Sequence, residues 1–90
     1  MQFQWDLWNI QKNELKHGVS AVEAESAFYD LEYKLFHDRR HSKSEHRFIL
    51  LGKSIENRIL MVGFTLRKQT VRIITSRPAS KNERRIYEKK

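Results

Sequence analysis

The chain has 90 residues, 18 Lys and Arg against 11 Asp and Glu, and a formal charge of +7. That length suits one domain, 1–90, with a modest core, since roughly 60–65% of the unfolded surface is buried at this size. The lack of cysteine excludes disulfides, thiolate metal sites and a cysteine nucleophile. The longest apolar run, Ile59–Phe64, falls far short of the ~20 residues that cross a bilayer, and no basic leader opens the chain, so a cytoplasmic protein without membrane contact is expected.

In chain order, "QFQW" alternates like a strand, and Asp6 behind it is a good N-cap for a helix over Leu7–His17. Leu7, Trp8, Ile10 and Leu15 would form its apolar side, with Gly18 as a left-handed C-cap. Ser20 and Glu23 are spaced as a capping box and start a second helix through "AVEAESAFYD", with Val22 and Ala24 to Phe28 turned inward. "EYKLF" reads as a strand and "HDRRHSKSEH" as an exposed loop. "RFILLGKS", "NRILMVGFTL" and "TVRIITSR" are β-rich, and their separators are short enough for hairpins, which predicts antiparallel neighbours. Pro78 ends the last strand, and Ser80 with Glu83 makes a second capping box opening a C-terminal helix. The order β-α-α-β-β-β-β-α predicts an α+β domain: an antiparallel sheet with two N-terminal helices and one C-terminal helix.

Charge is not spread evenly. From Leu66 onward there are nine Lys and Arg, the last being Lys89 and Lys90, against Glu83 and Glu88, while the residues before Leu66 balance. Such an asymmetry favours a polyanionic partner, nucleic acid most often, otherwise an anionic membrane or an acidic protein. Of the four histidines, His17, His37, His41 and His46, three sit in or beside one polar loop and none belongs to an HxxxH pair on a helix, so no metal site is predicted and no cofactor is expected. His17 ends the first helix, where it would cap carbonyls or accept a proton. No GxSxG, P-loop or close carboxylate pair appears. RNA, however, carries its own nucleophile, and cleavage through the 2′-hydroxyl needs only proton transfer and cations at the phosphate, a task that suits arginine. On a regular strand Arg72, Ile74 and Ser76 share one face while Val71, Ile73, Thr75 and Arg77 share the other, leaving Arg72 as a mid-strand cation held for a ligand or a buried carboxylate. In the last helix Lys81 neighbours Arg84 and Arg85, with Tyr87 one turn beyond Arg84.

Taken together, "WD" at Trp5 and Asp6, Asn13, "KHGVS" from Lys16, Glu23 and Ala24, "RFILLG" from Arg47, "VRIITSR" from Val71 and "ERRIY" from Glu83 resemble the BrnT family of bacterial toxins. These are ribonuclease halves of type II toxin–antitoxin pairs with a RelE-like fold, and the resemblance covers nearly the whole chain as one toxin domain. Asn9 departs from a usual lysine, Ala21 from a common aromatic, and Ser76 and Pro78 from the usual last-strand motif. The resemblance implies catalytic roles for His17, Arg72, Arg77, Arg84 and Tyr87, and RNA contacts from Lys16, Arg47, Lys81 and Arg85. It also implies a BrnA-like antitoxin of the ribbon-helix-helix type, with DNA reached only through the joint complex. The expected function is a metal-independent endoribonuclease. The alternatives are a non-catalytic nucleic-acid-binding domain and a module whose basic end docks an acidic protein.

Overall fold

In a computed structural model of the protein, which describes residues 1–41 and 45–89, the strands are β1 (Gln2–Gln4), β2 (Lys34–His37), β3 (Arg47–Lys53), β4 (Ile59–Arg67) and β5 (Thr70–Pro78). The helices are α1 (Leu7–His17), α2 (Ala21–Ser26) and α3 (Lys81–Glu88). All five strands join one sheet in the order β1-β5-β4-β3-β2. β2 to β5 run antiparallel, β3–β4 and β4–β5 as their short separators predicted and β2–β3 across a longer connection, with Lys68 and Gln69 both at positive φ in the two-residue β4–β5 turn. The sheet is nevertheless mixed, because β1 lies parallel to β5, pairing Gln2–Gln4 with Thr70–Arg72. No hairpin joins these two strands, so the turn geometry that forces the others antiparallel does not act on them.

One face of the sheet carries the core: Leu50, Leu60, Val62, Phe64, Val71 and Ile73 pack with Val19, Ala24, Ala27 and Phe28. Phe28 meets Phe3 and Phe64 edge to face. Gly52 is required here, since a Cβ on it would come within 2.5 Å of the Ala27 carbonyl oxygen. α2 ends at Ser26 and a 3₁₀ turn, Ala27–Tyr29, replaces the rest of the predicted helix. The first capping box is only half formed. Ser20 accepts from the Glu23 amide, but the Glu23 carboxylate is held by Arg58 and Ser54, both at 2.7 Å. The box at Ser80 and Glu83 is complete.

α1 is turned opposite to the expectation. Its buried residues are Asn9 and Asn13, whereas Leu7, Trp8 and Leu15 are exposed. β1 covers only Thr70–Arg72 of the β5 edge, and beyond it the Ser76 amide donates to Asn13 Oδ1. A helix that closes a sheet edge must supply polar groups to the unpaired backbone. The predicted loop from His37 to His46 contains a 3₁₀ turn, Arg39–His41; its Ser42, Lys43 and Ser44, and also Lys90, lie outside the described residues. No helix among the described residues is long and apolar enough to cross a membrane.

Candidate nucleic-acid interface on the open face of the sheet

The face opposite the core is set by strand register. Arg47 pairs with Thr65 and Thr65 with Arg72; Ile49 pairs with Gly63 and Gly63 with Thr75; Leu51 pairs with Met61 and Met61 with Arg77. Directly paired residues point to the same side, so Arg47, Arg72 and Arg77 all stand on the open face. Two strand spacings of ~4.8 Å put the Arg47 and Arg72 backbones roughly 10 Å apart. A strictly alternating strand cannot do this for both Arg72 and Arg77, which are five residues apart. The ladder slips beside Gly63 and Phe64, where Gly63 pairs with Thr75 but Phe64 with Ile73. Ile74 is the extra residue of this β-bulge. It corrects the expected alternation: Arg72, Thr75 and Arg77 share the open face, while Val71, Ile73 and Ser76 face the core.

α3 packs on β3 at one end of this face, where Leu51 and Met61 are buried. Three contacts fix it. Arg77 forms a two-pronged pair with Glu83, at 2.7 and 2.9 Å. Tyr87 donates to Asp30 at 2.5 Å, and the Lys34 ammonium donates to the carbonyls of Ile86 and Lys89 at the end of the helix. Burial raises the Glu83 carboxyl, but the Arg77 fork and the Ser80 amide outweigh it and leave the group below its ordinary value. The Tyr87 phenol is pushed up to about 12, first by burial and then by its bond to Asp30. Arg84 donates to the Ala79 carbonyl at 3.0 Å, while Lys81 and Arg85 are exposed on the outer side.

Between α3 and the far end of β3 lies a cleft of about 270 Å³, with Gly63 and Thr75 in its lining and Arg40, Arg47, Arg77 and Glu83 around them. A Cβ on Gly63 would come within 2.9 Å of Thr75 Cγ2, so the missing side chain leaves room for the Thr75 methyl, and the Arg47 guanidinium lies at ordinary contact distance from the same point, 3.6 Å. Gly63 and Thr75 carried no signal in the sequence, because their place depends on register across three strands, and Arg40 carried none because it lies in the β2–β3 connection, whose 3₁₀ turn at Arg39–His41 was read as loop. Next to the cleft, Arg67 grips Glu45 with two hydrogen bonds of 3.0 Å. The Glu45 carboxyl is held below its ordinary value by that bond, against burial, and by the charges of Arg67 and Arg72. The Arg72 side chain makes no hydrogen bond to another described residue. Lys16 and His17 are not part of this face, since they occupy the last turn of α1. His17 is half-buried on the same side of α1 as Asn13. His37 and His46 bring ring nitrogens within 3.1 Å of each other.

Residues 5–83 match the family model described as "Ribonuclease toxin, BrnT, of type II toxin-antitoxin system". The chain belongs to the BrnT family. Among solved structures, the BrnT ribonuclease toxin of Brucella abortus is similar, with a TM-score of 0.67 and 26% identity over 90% of this chain and 99% of that one. No curated protein sequence matches. The BrnT match spans Lys16, His17, Arg47, Arg72, Arg77 and Lys81 and stops at Glu83, so Arg84, Arg85 and Tyr87 lie beyond it. In this BrnT chain those last residues belong to a helix tied down by Arg77, Asp30 and Lys34.

Proposed function

We propose that the protein is an endoribonuclease toxin that lays RNA across the open face of the sheet and cleaves it by attack of the RNA's own 2′-hydroxyl, without a metal ion. The bulge at Ile74 is the observation that carries this reading, because it gathers Arg47, Arg72 and Arg77 on one surface. Arg72 is the cation assigned to the scissile phosphate: it is half-buried, so its field is less screened than a surface lysine's, and no described side chain holds it by a hydrogen bond. Arg47 is assigned the neighbouring phosphate. Arg77, committed to Glu83, positions α3 so that Lys81 and Arg85 extend the basic surface. Lys16 and His17, from the family resemblance, are assigned to a strand of RNA that runs past the end of α1. A ribbon-helix-helix antitoxin is the proposed inhibitor, and any operator DNA is contacted through that complex.

Purified protein incubated with single-stranded RNA in EDTA is expected to leave fragments ending in a cyclic or 3′-phosphate. Loss of cleavage in EDTA with recovery in magnesium, or cleavage of RNA whose scissile nucleotide is 2′-deoxy, overturns the mechanism. Binding without cleavage under any condition favours a nucleic-acid-binding domain.

Tyr87 is assigned an anchoring role here, because its proton is engaged by Asp30 and its ionised form lies far above neutral pH. Tyr87→Phe is expected to lower the melting temperature and to leave cleavage, measured well below that temperature, within a few-fold of the parent. A general acid or base lost from the reaction would instead lower the rate by about 10²–10⁴-fold with stability little changed.

A further inference from the structure

α1 carries an amphipathic pattern facing the wrong way for a helix whose only partner is its own sheet. At about 100° per residue, Asn9, Asn13 and His17 fall on one side, and Trp8 and Leu15 within about 20° of each other on the opposite side. The asparagines are buried, whereas Trp8 is 69% and Leu15 89% exposed. The inward side is polar for the reason given above, that Asn13 serves the open edge of β5. That requirement accounts for the asparagines. It does not account for a tryptophan and two leucines in water.

The outward stripe is also shaped and charged. Trp8, Gln11, Lys12, Leu15 and Lys16 line a shallow depression of about 310 Å³. Lys12 and Lys16 follow one edge of the apolar stripe, and Leu7, also exposed, and Glu14 lie beyond the other. An apolar strip with a row of cations on one side complements an amphipathic helix whose apolar stripe is bordered by carboxylates. Exposed tryptophan in such a strip is the residue type that most often carries binding energy.

We infer that this outer face of α1 is the surface that the antitoxin occupies, through an acidic amphipathic helix laid along Trp8, Lys12 and Leu15. The inference rests on the toxin–antitoxin reading above and adds where the inhibitor is held. It places the main grip on the helix layer, away from Arg72. Inhibition then follows either from a further segment of the antitoxin reaching the open face or from closure of the RNA path past Lys16.

The test uses the full chain and the antitoxin encoded beside it. Trp8→Ser combined with Leu15→Ser is expected to raise the antitoxin Kd by roughly 30-fold or more, the effect of removing a central apolar anchor. Free toxin carrying both changes should cleave RNA and melt as the parent does, since neither side chain is buried. Lys12→Glu is the second variant, expected to weaken binding most at low salt. An unchanged Kd in both variants, with the parent protein cleaving RNA, overturns the docking site and leaves the function standing. A parent protein that binds antitoxin through this face but cleaves no RNA overturns the function and leaves the docking site. If the parent is a dimer that the double variant splits, with antitoxin affinity unaltered, the stripe joins two copies of this chain and the inference is wrong.

Discussion

Arg72→Ala is expected to lower the rate of RNA cleavage by about 100-fold, the scale of removing one preorganised donor from a developing anionic transition state. Stability should hardly change, because the Arg72 guanidinium hydrogen-bonds to no described residue and its removal orphans no buried acid. Glu45 keeps its two bonds to Arg67. The comparison that gives the result meaning is Arg77→Ala. There the guanidinium is two-pronged on Glu83, and its loss should loosen α3 at a cost of roughly 1 kcal/mol, since both partners are only partly buried. The two arginines on one face are thus expected to separate: one changes rate, the other mainly the melting temperature. Measured single-turnover cleavage and thermal melts on both variants decide it. If Arg72→Ala cleaves at the parent rate while folded, the phosphate is elsewhere.

The largest loss of stability is expected from Arg58→Ala. The Glu23 side chain is 5% exposed and that of Arg58 39%, so the substitution leaves an ionised carboxylate in the interior with Ser54 as its remaining side-chain donor. Removing one partner of a buried pair costs about 3–5 kcal/mol. The water that reaches Arg58 reduces this to roughly 2–4 kcal/mol, or a fall of about 10–20 °C in melting temperature for a chain of this size. The pH dependence fixes the sign. In the parent protein the Arg58 hydrogen bond, against burial and helped by Ser54, holds the Glu23 carboxyl below its ordinary value of 4.5. A carboxyl depressed in the folded state stabilises above the unfolded pKa, and that contribution is lost as pH falls through the folded one. The parent protein should therefore weaken below about pH 4.5. In Arg58→Ala burial is no longer offset by the arginine, so protonation of Glu23 relieves the buried charge. The gap between variant and parent should then narrow on acidification. Chemical denaturation of both proteins between pH 7 and pH 3 measures this, and a constant gap removes Glu23 from the explanation.

Much of the architecture is local and was legible in the chain. Asp6, Ser20 and Ser80 cap helices where their side chains accept from amides two or three residues on, and such bonds need no tertiary context. Gly18 sits at φ 65°, as a left-handed C-cap requires, and the short β3–β4 and β4–β5 connections allow only antiparallel neighbours. The basic C-terminal end and the motifs at Lys16, Val71 and Glu83 were likewise enough to point to the BrnT family. What the sequence by itself did not decide is how distant segments meet. A bulge is one residue inserted against a partner strand, so the shared face of Arg72 and Arg77 exists only in the pairing with β4. The parallel seat of β1 on β5 joins residues 2–4 to residues 70–72, with no connecting turn to announce it. The same edge then required asparagines on the inner side of α1 and turned its tryptophan and leucines outward, reversing the reading that periodicity alone supports. Helix caps and turns are fixed by bonds within a few residues, whereas faces, edges and the cleft beside Arg47 are properties of register, which only the folded sheet supplies.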